Sequence, residues 1–138
     1  MADDPDHNLI QSRTLEIQGS MGAFALVEVQ DFEFTIDRSI EVAVSTAGPI
    51  GFQVDDKGGA FTLNVFSAKS PEVNWYRLML SGEAVIFTQQ DVDEQLNPCG
   101  HRIQFRACKV ETVDPKTGND GKQMLSVKGK YLGLRVTA

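Results

Sequence analysis

The sequence predicts a mainly β fold, an antiparallel β-sandwich or barrel with one short α-helix. Three observations predict it: apolar and polar residues alternate over several segments, glycines and prolines separate those segments, and one short segment has helical spacing. The order is strands, one helix, then more strands, which is typical of a sandwich or a barrel. A length of 138 residues fits one domain, so we expect 1–138 to form a single unit.

The first quarter of the chain predicts an arm followed by two strands. Residues 1–12 are polar and lack a sustained period, which favours a flexible N-terminal arm. Alternation over 14–18 predicts a short strand, and 23–37 predicts a long one. The apolar parity changes at Val27 and Val29, so either a bulge lies there or both faces are partly buried.

Glycine and proline residues predict an interruption in the middle of the chain. A strand over 40–45 is followed by Gly48-Pro49, and Gly58-Gly59 marks a second break. We expect 46–59 to be a loop or loose hairpin that projects from the body. The alternation of Phe61, Leu63 and Val65 then predicts the next strand.

One helix is predicted before Gly82, which can end it. Ser70 can cap the first turn, Pro71 suits the first helical position, and Glu72 suits the positive N-terminus. Apolar residues at helical spacing form a stripe that we expect to pack on the sheet: Trp75, Leu78 and Met79.

The last third predicts strands separated by two long loops. We expect a strand over 84–88, an acidic loop over 91–100 and a second loop over 114–121. In the strand between the loops the parity flips at Cys108 and Val110, which predicts a second bulge. A final strand over 123–136 changes parity after Tyr131.

Charge is unevenly distributed along the chain. The formal net charge is -6, yet residues 1–69 carry 11 acidic and 4 basic side chains, whereas 70–138 carry 8 acidic and 9 basic ones. Such a division permits head-to-tail attraction between copies; alternatively, the two signs mix once the chain folds. The acidic balance argues against a nucleic-acid-binding protein, which needs clustered Lys and Arg.

Few residues offer chemistry. Cys99, His101 and Cys108 lack the fourth ligand and the close spacing of a zinc site, so we read them as ordinary thiols and a loop histidine rather than a metal site, disulfide or nucleophile. Carboxylates that alternate on a strand are typical of its solvent face. No cofactor motif occurs. We therefore expect no enzyme activity, no metal and no cofactor.

No apolar run reaches the roughly 18 to 20 residues that cross a bilayer. The N-terminus is acidic and polar, whereas a secretory signal has a basic start and an apolar stretch. We therefore expect synthesis and residence in a cytoplasm, without a membrane partner.

Three segments resemble tail tube proteins of contractile-tailed bacteriophages. They are the strand 59–65, the helix opened by Ser70-Pro71 and followed by 85–87, and the closing strands 102–113 and 123–136. The resemblance covers about 10–136 as an order of elements. The acidic segment 91–97 departs from it.

The resemblance implies homo-hexameric rings that stack into a tube inside a contractile sheath. Each subunit would give strands to a continuous inner barrel, with its helix outside, and DNA would pass down the lumen without specific binding. Partners would be further copies and the sheath, baseplate and tape-measure proteins, in a virion assembled in the host cytoplasm. The resemblance brings no catalytic residues or cofactor.

An acidic inner wall would repel phosphates within about 8 Å at physiological salt and so let DNA slide. From their alternation we expect five acidic residues to line the lumen: Glu28, Asp31, Glu33, Asp37 and Glu41. The arm 1–12 and the loop 46–59 would stack rings and grip neighbours.

Three other interpretations stay open. The type VI secretion ring protein has the same architecture. A β-sandwich ligand-binding module would need an aromatic platform, for which Trp75, Tyr76 and Tyr131 are the candidates. An enzyme of unrecognised type is the third.

Overall fold

The computed structural model describes residues 12–36, 58–117 and 121–137, together with the backbone of two further strands, 39–45 and 48–55. The elements are β1 Ser12–Gly19, β2 Gly22–Ala25, β3 Val29–Phe34, β4 Ser39–Ser45, β5 Gly48–Asp55, β6 Gly59–Phe66, α1 Trp75–Ser81, β7 Val85–Val92, β8 Pro98–Thr117, β9 Gln123–Tyr131 and β10 Gly133–Thr137. The mainly β fold with a short helix is therefore confirmed.

The strands form a folded antiparallel sheet in the order β2-β1-β7-β8-β9-β6-β3, and β10 pairs with β8. The 20-residue strand β8 takes part in both halves of this folded sheet. Its first part pairs with β7 and β10, whereas its second part, 109–117, pairs with β9. We call β2, β1, β7, the first part of β8 and β10 the first sheet, and the second part of β8, β9, β6 and β3 the second sheet.

The core lies between the two sheets and is rich in aromatic rings. Phe34 of the second sheet stacks on Phe105 of the first, with ring centroids 3.9 Å apart. Phe61, Phe87 and Tyr131 surround this pair at centroid distances of 4.9 to 6.4 Å. Burial of such large apolar surfaces is the main force that holds the sheets together.

A bulge in β8 lets one strand serve both sheets. Val85 of β7 pairs with Cys108 while Phe87 pairs with Phe105, so β8 has one extra residue there, and Ala107 has a φ of 53°. The extra residue restores the core-facing parity, because Phe105, Cys108 and Val110 are all buried. The predicted second bulge is confirmed.

The single long strand predicted over 23–37 is wrong, because the chain changes sheets in the middle. β2 pairs with β1, whereas β3 pairs with β6, with a register shift between Val29 and Asp31. At the crossing, the Glu72 carboxylate accepts hydrogen bonds from the backbone N–H groups of Val27 and Glu28 at 3.1 and 2.9 Å. These bonds satisfy the backbone N–H groups of residues that lie between the two strands and have no strand partner there.

The helix ends as predicted but begins later. Gly82 takes the left-handed conformation, φ 68°, at the C-cap. The N-cap is Asn74, whose side-chain oxygen accepts a hydrogen bond from Arg77 N at 3.1 Å. Ser70 and Pro71 lie in the preceding connection, and Glu72 contacts the strand crossing instead of the first turn, so the predicted start was wrong.

Both predicted C-terminal loops are too long. β7 reaches Val92 and β8 starts at Pro98, because Asp93 Oδ1 accepts hydrogen bonds from Gln95 N and Asn97 N and closes a tight turn. β8 likewise extends to Thr117, which pairs with Gln123.

The final predicted strand is two strands, β9 and β10, which are separated at Leu132. They pair with different parts of β8.

The predicted loop 46–59 contains a strand, since β5 pairs with β4 in a separate two-stranded sheet. Its projection from the body stays a prediction. The arm lies outside the described residues, except that Ser12 begins β1.

Candidate self-assembly surface

The outward face of the second sheet is polar and carries most of its charges. Alternation fixes this face, because Phe61, Leu63, Val65 and Val127 point into the core and their neighbours point out. The exposed or half-buried polar side chains on it are Asp31, Glu33, Thr62, Asn64, Lys109, Glu111, Thr112, Asp114, Lys116, Lys128 and Lys130.

Hydrogen bonds cross this face from one edge strand to the other. Lys116 Nζ donates to Asn64 Oδ1 at 3.1 Å, and Asn64 Nδ2 donates to Asp31 Oδ1. Between these strands, Met124 and Ser126 of β9 belong to the same face but are only 9% exposed. The bonds connect β8, β6 and β3, so they hold the face in one arrangement.

One side of the face is acidic, whereas the other side carries charges of both signs. Strand β3 carries Asp31 and Glu33, whereas the four lysines of the face lie on β8 and β9. Glu111 is near one of them, with Oε1 3.7 Å from Lys130 Nζ. Both side chains of that pair are more than half exposed, so it adds little stability.

The structure divides the five acidic residues predicted to line a lumen. Asp31 and Glu33 are exposed on the outward face of β3. Glu28 is half-buried at the strand crossing, and its Oε2 accepts a hydrogen bond from Glu72 N at 3.4 Å. The side chains of Asp37 and Glu41 lie outside the described residues.

Sequence reasoning missed the lysines that share the face with Asp31 and Glu33. Lys128 and Lys130 alternate with core residues, which was visible in the sequence. Their proximity to β3 was not, because β9 pairs with β6, far away in the chain.

Beside β3 is an open cleft of about 630 Å³ between the two sheets. Its apolar lining includes Phe34, Ile103 and Phe105, and the half-exposed Ile36 stands at its rim. Both faces of β3 contribute to this lining, because Asp31 and Glu33 border it together with Phe32 and Phe34. The cleft therefore runs alongside that strand.

A buried carboxylate ties the first strand to the β7–β8 hairpin. Asp91 accepts hydrogen bonds from Arg13 Nε at 2.8 Å and from the backbone N–H of His101 at 3.0 Å. Burial alone raises the pKa of Asp91, but the His101 N–H and the hydrogen bond and charge of Arg13 outweigh it and hold the pKa below its ordinary value.

The two cysteines are not brought together. Cys99 and Cys108 lie nine residues apart on β8, which is about 30 Å along a strand, so they are too far apart for a disulfide. Burial raises the pKa of Cys108 to about 12. Among the described residues, no three side chains of metal-ligand type form a cluster.

The helix stripe and the aromatic candidates lie mainly in the core. Trp75 and Leu78 are buried, and Met79 packs against the same cluster. Tyr131 is also buried, and its hydroxyl donates to Thr35 O. Of the three candidates for a sugar-binding platform, Trp75 and Tyr131 are therefore not available at the surface, and Tyr76 is exposed. Within the described ranges, no helix has the length and apolar character to cross a membrane.

No family model matches the sequence, and no curated protein matches it either. Solved structures do. The chain matches the tube-terminating cap of the anti-feeding prophage with a TM-score of 0.70 at 7% identity, over 99% of this chain and 96% of that one. It matches the sheath/tube terminator of an extracellular contractile injection system, PVC, with a TM-score of 0.65 at 8% identity, over 100% of both chains.

The SPP1 tail tube is a third match, with a TM-score of 0.64 at 10% identity, over 94% of this chain and 78% of that one. The chain therefore has the fold of tail-tube proteins, and the sequence prediction of that fold is confirmed.

Proposed function

We propose that this protein is a structural subunit of a tail tube, in which copies form hexameric rings that stack into a hollow conduit. The observation that carries the proposal is the match of nearly the whole chain to a tube-terminating cap and to a tail tube. These neighbours are structural proteins of tube assemblies, so the proposed role is structural and not catalytic.

Open strand edges support the proposal. In the described part of the chain, β3 pairs only with β6, and residues 109–117 of β8 pair only with β9. An unpaired edge presents backbone donors and acceptors that readily bind another strand. Copies that join at these edges would build a wall from the second sheet of each subunit.

The outward face of the second sheet would then line the lumen. Asp31 and Glu33 would be wall residues, as the sequence predicts. The same prediction includes Glu28, Asp37 and Glu41. The lysines on β8 and β9 lie on the same face, so this wall would alternate in charge around the ring. The four acidic side chains of the described face would repel phosphates at short range and offset the attraction of its four lysines, in support of DNA passage without binding.

The finer assignments follow the resemblance to contractile-phage tubes. We place the protein in the virion tail after assembly in the host cytoplasm. Its partners would be sheath, baseplate and tape-measure proteins, with α1 on the outside facing the sheath. The arm 1–12 and the hairpin region 46–59 would contact neighbouring rings. Capsid and tape-measure genes beside its gene would favour a phage over a secretion system.

Negative-stain electron microscopy of the purified protein, together with light scattering, tests the proposal. Rings with the mass of six 15.2-kDa chains, or hollow tubes, are the expected result. A monodisperse monomer at every concentration contradicts self-assembly. Deletion of 1–12 is expected to weaken stacking but not ring formation; unchanged tubes would contradict the role of the arm.

A further inference from the structure

A pocket of about 290 Å³ lies beside the start of α1, and we call it the helix-start pocket. It is bounded by α1, by the connection between β6 and α1, and by the ends of β6, β8 and β9. Its wall is largely apolar and includes Phe66, Pro71, Trp75, Tyr76, Pro115 and Leu125. A concave apolar wall with a few polar groups is typical of a binding site.

One hydrogen-bond donor of this wall has no partner. Trp75 is 2% exposed, and among the described residues its Nε1 is the single buried side-chain nitrogen or oxygen that forms no hydrogen bond. An indole N–H only donates, and a buried donor without an acceptor is costly. Because Trp75 belongs to the wall, a molecule that occupies the pocket can supply the missing acceptor.

The charge at the pocket is negative. Glu28 is the charged side chain of the wall, and Glu72 lies next to it, with its backbone N–H donating to Glu28 Oε2 at 3.4 Å. Within the described residues, neither carboxylate forms an ion pair. Lys69, the base of the connection between β6 and α1, is exposed and does not belong to the wall. The pocket therefore favours a ligand that carries positive charge.

These features together select a class of ligand. The occupant needs an acceptor for the indole, an apolar body for the wall and a cation for Glu28. A polyproline II segment has no internal hydrogen bonds, so its backbone carbonyls are free to accept. A proline also has no N–H that would be left unpaired against an apolar wall. Aromatic-lined grooves bind proline-containing segments in this way.

The sequence favours another protein over a second copy as the source of such a segment. The chain has five prolines, and Pro115 is the one that stands next to a basic residue, Lys116. Pro115 already belongs to the wall of the pocket and lies in the β8–β9 ladder, so it is not free to enter the pocket of a neighbour.

We propose that the helix-start pocket binds an extended, proline-containing basic segment of another protein. A backbone carbonyl of the segment accepts a hydrogen bond from Trp75 Nε1, a proline packs against the apolar wall, and a Lys or Arg beside that proline pairs with Glu28. This inference does not rest on the proposed function, because the pocket is a property of the single subunit.

Peptide titration tests the class of ligand. Trp75 is the single tryptophan of the chain, so its fluorescence reports occupancy of the pocket directly. The probe is the blocked peptide acetyl-Pro-Pro-Lys-Pro-Pro-amide, and we expect a Kd of about 1 mM or lower. Replacement of its lysine by glutamate should weaken binding about tenfold or more, and replacement of its prolines by glycine should do the same.

Two pairs of variants locate the binding site. Glu28→Gln keeps an oxygen for Glu72 N but removes the charge, and we expect it to weaken binding of the lysine peptide about fivefold or more. Glu33→Gln, an exposed acid outside the pocket, is its matched control and should leave the affinity unchanged. Tyr76→Ala should weaken binding about threefold or more, whereas Leu80→Ala, on the same helix but outside the wall, should not.

Nuclear magnetic resonance tests the hydrogen bond itself. The indole N–H of Trp75 gives one signal of its own in a proton–nitrogen correlation spectrum, and its proton should move downfield when the lysine peptide binds. A signal that stays in place while the peptide binds, or one that shows contact with an ordered water with and without the peptide, overturns the assigned role of Trp75.

The remaining outcomes decide the proposal as a whole. Failure of the lysine peptide to change the fluorescence, equal affinity for the glutamate or glycine peptide, or full affinity in Glu28→Gln and Tyr76→Ala would each overturn it. None of these results bears on the assembly of rings, which electron microscopy measures separately.

Discussion

The two parts of β8 have different surroundings within one strand. Residues 98–108 pair with β7 on one side, residues 102–106 also pair with β10 on the other, and the carboxylate of Asp91 holds this part near its start. Residues 109–117 pair with β9 on one side, and in the described part of the chain no strand pairs with the other. The first part is completed within the subunit, whereas the second is completed, in our proposal, by a neighbour.

This difference shows how one long strand connects folding to assembly. The bulge at Ala107 turns the strand from the first sheet into the second without a loop. Because the turn is local, the rigid core beneath residues 98–108 can position the open edge of 109–117. Four predictions test the contrast, from the largest effect to the smallest.

Gly129→Val should have the largest effect, because it forces the second part of β8 away from β9. A Cβ at Gly129 would overlap the carbonyl oxygen of Lys109 and come within 2.6 Å of Phe61 Cζ. Neither backbone nor buried ring can move freely, so we expect a loss of about 4 kcal/mol or more in unfolding free energy, or failure to fold. Urea denaturation followed by circular dichroism measures it.

Gly133→Ala is the matched control for the first part of β8. Gly133 pairs with Arg106, and the nearest atom to its added Cβ is 3.9 Å away. We expect a change within about 0.5 kcal/mol. Equal losses at the two glycines would mean that the two parts of β8 are packed equally closely against their neighbours.

Leu78→Ala should rank second, because α1 packs on β8 and covers the core. Leu78 is 1% exposed, and its truncation leaves a cavity that we expect to cost about 2 to 5 kcal/mol. Leu80 lies on the same helix and is 81% exposed, so Leu80→Ala should change stability little. Thermal unfolding of both variants makes the comparison, and a small loss at Leu78 would mean that the helix is not needed for the core.

Asp91→Asn should have a smaller effect that depends on pH. The folded-state pKa of Asp91 lies below its ordinary value, so the ionised carboxylate stabilises the fold at pH values above the unfolded pKa of about 3.8. That stabilisation is lost as the pH falls through the lower folded pKa. At neutral pH we expect Asp91→Asn to cost about 1 to 2 kcal/mol.

The check is denaturation at several pH values. The difference between wild type and Asp91→Asn should shrink below about pH 4, because the carboxyl becomes protonated first in the unfolded chain and then, at lower pH, in the folded protein. A difference that stays constant down to the lowest pH at which both proteins fold would contradict the assigned role of the charge.

Strong local signals were enough to predict much of the fold. The alternation in β6, the bulge in β8 and the glycine that ends α1 were all visible, because each depends on residues close in sequence. The sheet change between β2 and β3 was not, because it depends on Glu72, some 44 positions away. The charged face was also missed, since it combines strands whose order in the sheet differs from their order in the chain.

The start of α1 could not be predicted from the sequence either, and changing its capping residue is expected to have the smallest effect on stability. Ser70 and Asn74 are both good capping residues, and the sequence alone does not choose between them. In the structure, Asn74 accepts the hydrogen bond from Arg77 N, while Glu72 is held at the strand crossing. We expect Asn74→Ala to cost about 1 kcal/mol and Ser70→Ala almost nothing. The reverse order in thermal unfolding would return the helix start to the position predicted from the sequence.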